Sequence, residues 1–136
     1  MTEYYYNEQH KAIYENCIER TGDKKAWVRE DRERLSCFYL IALMCAIAPN
    51  HKPENFYDFK SNSIISESIN RPEITGTTAR ILRLAYILYN SFPDGEPNNG
   101  INDIFTYRDE YAPFKLEALR IRYDITRLED QERGES

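Results

Sequence analysis

Residues 35–48 run Leu35-Ser36-Cys37-Phe38-Tyr39-Leu40-Ile41-Ala42-Leu43-Met44-Cys45-Ala46-Ile47-Ala48, and thirteen of the fourteen are apolar or aromatic. A helix apolar on every side has to be enclosed by other elements. No other part of this chain, 30% of whose residues are charged, offers a comparable stretch. The stretch is also too short to cross a bilayer, which takes roughly 20 apolar residues. It therefore predicts a compact all-α bundle built around a central buried helix at about 30–48. A chain of 136 residues is long enough for one domain with a core of its own.

The neighbours follow from spacing. Tyr6, His10, Ile13, Tyr14, Cys17 and Ile18 share one face of a helix at about 5–20. Thr21-Gly22 ends it, with Gly22 able to take the left-handed cap conformation. Arg29-Glu30-Asp31-Arg32-Glu33-Arg34 reads as the solvated first turns of the central helix, with Trp27 stapling its start to the core. Pro49-Asn50 stops that helix. From His51 to Gly76 the pattern is irregular: Pro53 opens a single helical turn, and Ser61–Ser66 reads as loop rather than strand. Thr77 or Thr78 caps a helix at about 78–91 with Ile81, Leu84, Ala85 and Leu88 as its buried stripe. Phe92–Gly100 is a turn-rich exposed loop, and Asn102–Phe105 begins a short helix. A longer helix at 110–123 keeps Ala112, Leu116, Leu119 and Tyr123 at helical spacing. Four to six helices in one domain over 1–127 are expected, with an acidic, flexible tail at 128–136.

Eleven tyrosines against six phenylalanines suit the rim of a core or a recognition surface. The net charge is −5, and much of it falls in the tail, where Glu129, Asp130, Glu132 and Glu135 face Arg133. Counterion release at a nucleic acid needs a basic face that this balance does not supply, so direct nucleic-acid binding is not expected. Cys17, Cys37 and Cys45 are odd in number and lack the close pairs of a zinc or redox motif. They read as buried, reduced thiols of a cytoplasmic protein. Met1-Thr2-Glu3-Tyr4-Tyr5-Tyr6 has neither the basic region nor the apolar run of a signal peptide, and no membrane association is expected.

Three arrangements carry candidate chemistry. Glu54, Asp58 and Lys60 resemble the acidic-acidic-basic sets of magnesium nucleases, but those sit on adjacent strands and none is predicted here. Thr75-Gly76-Thr77-Thr78 leads into a helix start with Arg80 and Arg83 one turn on, so Thr77, Thr78, Arg80 and Arg83 are the candidate anion-binding residues. The spacing matches no Walker loop. Arg20, Lys24, Lys25, Arg29, Arg32 and Arg34 suggest a basic patch, yet Glu19, Asp23, Glu30, Asp31 and Glu33 interleave with them, and a solvated mixed face is expected instead. His10 and His51 are too few and too isolated for a metal site, and His10 reads as a packing histidine. No Ser-His-Asp or Cys-His set can be assembled. No catalytic residue, cofactor or metal is assigned.

Glu8-Gln9-His10-Lys11, Leu35-Ser36-Cys37-Phe38-Tyr39-Leu40, Phe56-Tyr57-Asp58-Phe59 with Ile64, Arg83–Asn90 and Leu116–Tyr123 carry a resemblance. Over roughly residues 8–124 the chain resembles a small, uncharacterised family of Gram-positive bacterial genomes and their phages and mobile elements. The matching pieces are mostly packing positions, so the resemblance implies a fold and carries no activity. The functional expectation is a non-enzymatic protein-interaction module. More specifically, it is a phage or mobile-element accessory protein that binds and inhibits a bacterial defence component such as a CRISPR nuclease. Tyr4, Tyr5, Asp94, Glu96, Glu129, Asp130 and Glu132 are the expected partner contacts, through charge complementarity with a basic channel. The alternatives are a phosphate or nucleotide-ligand module, or enzyme, at the 77–83 helix start, and a nucleic-acid-binding regulator.

Overall fold

A computed structural model describes residues 4–89 and 100–126. Its regular elements are α1 (Glu8–Glu19), α2 (Lys25–Val28), α3 (Arg32–Ile47), β1 (Tyr57–Asp58), β2 (Ser63–Ile64), α4 (Gly76–Leu88) and α5 (Ala112–Tyr123). Asn7 caps α1, its Oδ1 accepting the His10 amide at 2.8 Å. Gly22, at φ +65°, takes the left-handed turn expected after that helix.

Of the charged stretch that follows, Arg32, Glu33 and Arg34 form the first turn of α3 as expected, but the residues before Asp31 do not extend it. Gly22–Lys24 forms a 3-10 turn, α2 adds one α-helical turn, and Asp31 adopts extended backbone. The Asp31 carboxylate accepts the Glu33 and Arg34 amides at 3.1 and 3.4 Å, so a new helix starts here. Trp27 does not staple the core either. It is 55% exposed, while its neighbour Val28 is buried. The Arg34 guanidinium lies 4.8 Å from the Trp27 ring centroid and occupies the space beneath it.

α3 is the enclosed post. Ser36 to Cys45 are buried without interruption, and α1, α4 and α5 all pack against it. Ser36 sits among apolar neighbours by donating its hydroxyl to the Glu33 carbonyl at 3.1 Å. Burial pushes all three thiols upward, Cys17 and Cys45 to about 12, so none is a poised nucleophile.

The expectation of a purely helical fold needs correction. The connection after α3 contains a 3-10 turn at Pro53–Asn55, as predicted, and then a short antiparallel ladder pairing Tyr57 with Ile64 and Asp58 with Ser63. Its turn is local chemistry. Asp58 Oδ1 accepts the Lys60 and Ser61 amides at 2.9 and 3.3 Å, and Asn62 tolerates φ +60°. Side chains from the helices tie the connection to the bundle. Tyr86 of α4 donates its hydroxyl to the Phe56 carbonyl at 2.9 Å. Arg34 donates to the Tyr57 hydroxyl at 3.0 Å and to the Asn62 carbonyl at 2.8 Å.

The later helices differ from expectation in the cap of α4 and in the buried face of α5, while the stripe Ile81, Leu84, Ala85 and Leu88 of α4 is buried as expected. α4 is capped by Thr75 rather than by Thr77 or Thr78, and its last described turn leads into 90–99, outside the described residues. On α5 the expected stripe is wrong by about one position. Leu116 and Tyr123 are exposed, whereas Lys115, Glu117, Ala118 and Ile121 are buried. No helix among the described residues is long and apolar enough to cross a membrane.

Candidate functional site

Lys115 explains the register of α5. Its side chain is 1% exposed, and its ammonium donates to Asp109 Oδ2 at 2.5 Å and to the Ile104 carbonyl at 2.7 Å, beside the Phe105 ring. Asp109 in turn accepts the Thr106 amide at 3.2 Å and the Tyr111 amide at 2.9 Å. Removing two charges from water costs several kcal/mol per ion, and only excellent geometry with further hydrogen bonds offsets it. Those bonds are present. Burial pushes the Asp109 carboxyl up, but the hydrogen bonds from Lys115 and the two amides outweigh it and hold the carboxyl below its ordinary range. At the other end, Arg80 donates to the Asn102 carbonyl at 2.7 Å. The segment 100–111 is thus a loop folded around one buried ammonium.

That loop presents an unusual tip. Tyr107 is 88% exposed, and Arg108 next to it sits at φ +54° with its guanidinium 5.4 Å from the Tyr107 ring centroid. An arginine in the left-handed region costs on the order of 1 kcal/mol, and such strain persists only where surrounding structure over-determines it. Here the Asp109 turn does so.

The N-terminal residues expose further tyrosines. Tyr5 turns inward, edge-on to His10 at 5.3 Å and tilted against Tyr14 and Tyr39 at 5.9 and 6.0 Å. Tyr39 donates its hydroxyl to the Tyr4 carbonyl. Tyr4 and Tyr6 turn outward, 49% and 41% exposed. The Tyr6 ring meets Tyr111 at 5.9 Å and Phe114 at 5.7 Å, which sets it at the start of α5, where the Tyr107 loop ends. Tyrosine offers a large amphipathic contact area with little side-chain entropy to lose, and tyrosine and arginine are both enriched among residues that anchor protein interfaces.

A family model described as a family of unknown function, DUF6075, matches residues 1–135. The chain belongs to this family. No curated protein and no solved structure matches it.

In this DUF6075 member the residues singled out from sequence are largely engaged elsewhere. Thr77 is exposed, while the Thr78 hydroxyl donates to the Thr75 carbonyl at 2.9 Å and accepts the Thr75 amide at 3.2 Å. Arg80 is drawn to Asn102, and Arg83 is half-buried on the same helix. Glu54 pairs with Arg20 at 2.9 Å, and Asp58 serves the hairpin turn, so Glu54, Asp58 and Lys60 do not converge. Among the described residues no group of three or more His, Cys, Asp or Glu side chains is placed to hold a metal. The basic set is dispersed into pairs: Lys25 and Arg29 on Glu19, Arg32 on Asp124, Arg34 on Asp31. Beside it lies a cleft of about 330 Å³ lined by Arg29, Glu30, Arg32, Leu35, Arg120 and Asp124, whose guanidinium groups already meet carboxylates. Of the expected partner contacts, Tyr4 is exposed and Tyr5 is packed inward; Asp94, Glu96, Glu129, Asp130 and Glu132 lie outside the described residues.

Tyr107, Arg108, Asp109 and Lys115 were not legible as a unit. The one local signal is Thr106-Tyr107-Arg108-Asp109, an aspartate able to close a turn on its own neighbours. Nothing local announces that Lys115, six residues on, is the partner.

Proposed function

We propose that this protein is a non-enzymatic interaction module that engages a protein partner through the exposed Tyr107 and Arg108 of the loop tip, together with Tyr4 and Tyr6 of the N-terminal segment. The observation that carries it is Tyr107, 88% exposed on a backbone held by a buried ion pair. A loop ordered before binding loses little entropy on binding, which is how rigid aromatic anchors gain affinity.

The finer proposal is that the chain acts in the cytoplasm of a Gram-positive bacterium as a phage or mobile-element accessory protein, inhibiting a defence component such as a CRISPR nuclease. Charge supports a partner with a basic channel. The described residues hold sixteen Lys and Arg against sixteen Asp and Glu, so the whole net charge of −5 lies in 1–3, 90–99 and 127–136. A near-neutral body with an anchoring tyrosine face and separate acidic segments suits an inhibitor that docks by shape and is steered by charge.

The test is affinity capture from a host carrying the chain, comparing wild type with Tyr107→Ala and Arg108→Ala. A stoichiometric partner retained by wild type and lost from both variants is expected. Equal capture by all three, or capture of nothing stoichiometric at low salt, overturns the assignment of this face. Restored plasmid interference by a CRISPR nuclease in the variants separates the defence target from other partners. The rival, phosphate binding at Thr77, Thr78, Arg80 and Arg83, requires a thermal shift with phosphate or nucleotides that disappears in Arg83→Ala.

A further inference from the structure

His10 is wholly buried where α1, α3 and α5 meet. Its Nδ1 accepts the Tyr6 amide at 2.9 Å, and its Nε2 lies 2.9 Å from the Tyr39 carbonyl. A backbone amide only donates and a carbonyl only accepts, so the ring is neutral with its proton on Nε2. A second proton has to go on Nδ1, pointing at the Tyr6 N–H. It also sets a full charge among Tyr5, Tyr39 and Phe114, whose ring centroids lie 5.3, 4.6 and 6.3 Å away. Among the described residues the titratable neighbours are few. The N-terminal segment and α1 bring Tyr5, Tyr6, Tyr14 and Lys11, whose ammonium lies 6.0 Å from the Tyr5 ring. α3 brings Tyr39; α5 and its approach bring Tyr111 and, one turn beyond Phe114, Glu117, which is paired to Arg120 at 3.3 Å. Burial outweighs the Tyr39 carbonyl and holds the ring down at about 4.

Residues 4–6 are attached to the bundle by polar and by ring contacts, and His10 takes part in both. Tyr6 donates its amide to His10, Tyr5 stacks edge-on against the same imidazole, and the Tyr4 carbonyl accepts from Tyr39. The Tyr5 ring also meets Tyr14 and Tyr39, and the Tyr6 ring meets Tyr111 and Phe114, but the Tyr6 amide bond is the one that a second proton on the ring must break.

We propose that His10 is an acid-sensitive latch that keeps residues 4–6 on the bundle only while its ring is neutral, and that protonation releases them while α3 and α4 remain folded. The consequence, loss of Tyr4 and Tyr6 from the partner face, rests on the interaction function proposed above. The latch itself does not, and its test uses no partner.

Amide NMR of the full chain from pH 7 to 3.5 decides it, comparing wild type with His10→Gln. Glutamine offers one acceptor and one donor without titrating over this range. In wild type the ¹⁵N heteronuclear NOE of Tyr5 and Tyr6 is expected to collapse as the pH falls toward 4, while α3 and α4 resonances keep their positions. In His10→Gln it stays high to pH 3.5. The latch is overturned by order at Tyr5 and Tyr6 that survives in wild type, by equal loss in His10→Gln, or by loss only together with α3. The imidazole ¹⁵N shifts of wild type give a readout that needs no variant: a proton resting on Nδ1 at pH 7 also overturns it.

Discussion

α3 and α5 pack against each other, yet they are held by opposite physics. α3 is buried through ten consecutive residues, nearly all apolar, and its position follows from removing apolar surface from water. α5 buries a lysine and a glutamate, and its position follows from where one ammonium finds an aspartate and a carbonyl. Apolar burial is non-directional, so it tolerates rotation and small shifts. An ion pair in a dry environment is directional and fixes a register. The bundle uses the first to be stable and the second to hold the 100–111 loop in one shape.

The sharpest break of this comparison is a charge placed in α3. Leu40→Asp leaves an unpaired carboxylate where nothing can solvate it, at several kcal/mol against a total stability of about 5–15 kcal/mol. The cooperative thermal transition by circular dichroism should disappear; a variant that still melts cooperatively removes α3 from its role as the enclosed post.

Next comes the ion pair. Lys115→Ala strands Asp109 and should cost about 3–5 kcal/mol in urea denaturation. Lys115→Met with Asp109→Leu should cost distinctly less than Lys115→Ala alone, because no charge is left buried without its partner. Equal losses show that packing, not the pair, orders this side of the bundle.

His10 lies between the two helices and adds a pH dependence with a definite sign. Its pKa is depressed from 6.5 to about 4 in the fold, so the unfolded chain takes up the proton first. The stabilisation is therefore complete above 6.5 and is lost as pH falls from 6.5 to 4, on the order of 3 kcal/mol if residues 4–6 stay docked. Release of those residues makes the measured loss smaller. Denaturant titrations at pH 7, 5.5 and 4 check the slope, and His10→Gln should flatten it. The smallest expected effect on stability is at the tip of the loop. Tyr107→Ala should leave the unfolding midpoint within about 0.5 kcal/mol of wild type. A larger shift makes Tyr107 part of the packing rather than of a partner face.

The chain on its own determined the enclosed helix, the face of α1 including buried His10, the stop at Pro49, the turn at Pro53 and the stripe of α4. Each of these follows from local periodicity or backbone chemistry, which residue order records directly. Asp31 as the true start of α3 and Thr75 as the cap of α4 were also written locally, but beside equally good caps, and packing chose between them. What only the tertiary structure decided has a single physical character. The hairpin at 57–64 has a local turn, but it is held on the bundle by Tyr86, Tyr89 and Arg34 reaching it from other elements. The face of α5 is set by Lys115 meeting Asp109, and Trp27 is displaced outward with Arg34 beneath it. A buried polar group is satisfied by partners at irregular separations along the chain and specific in direction, and no period encodes which partner that will be.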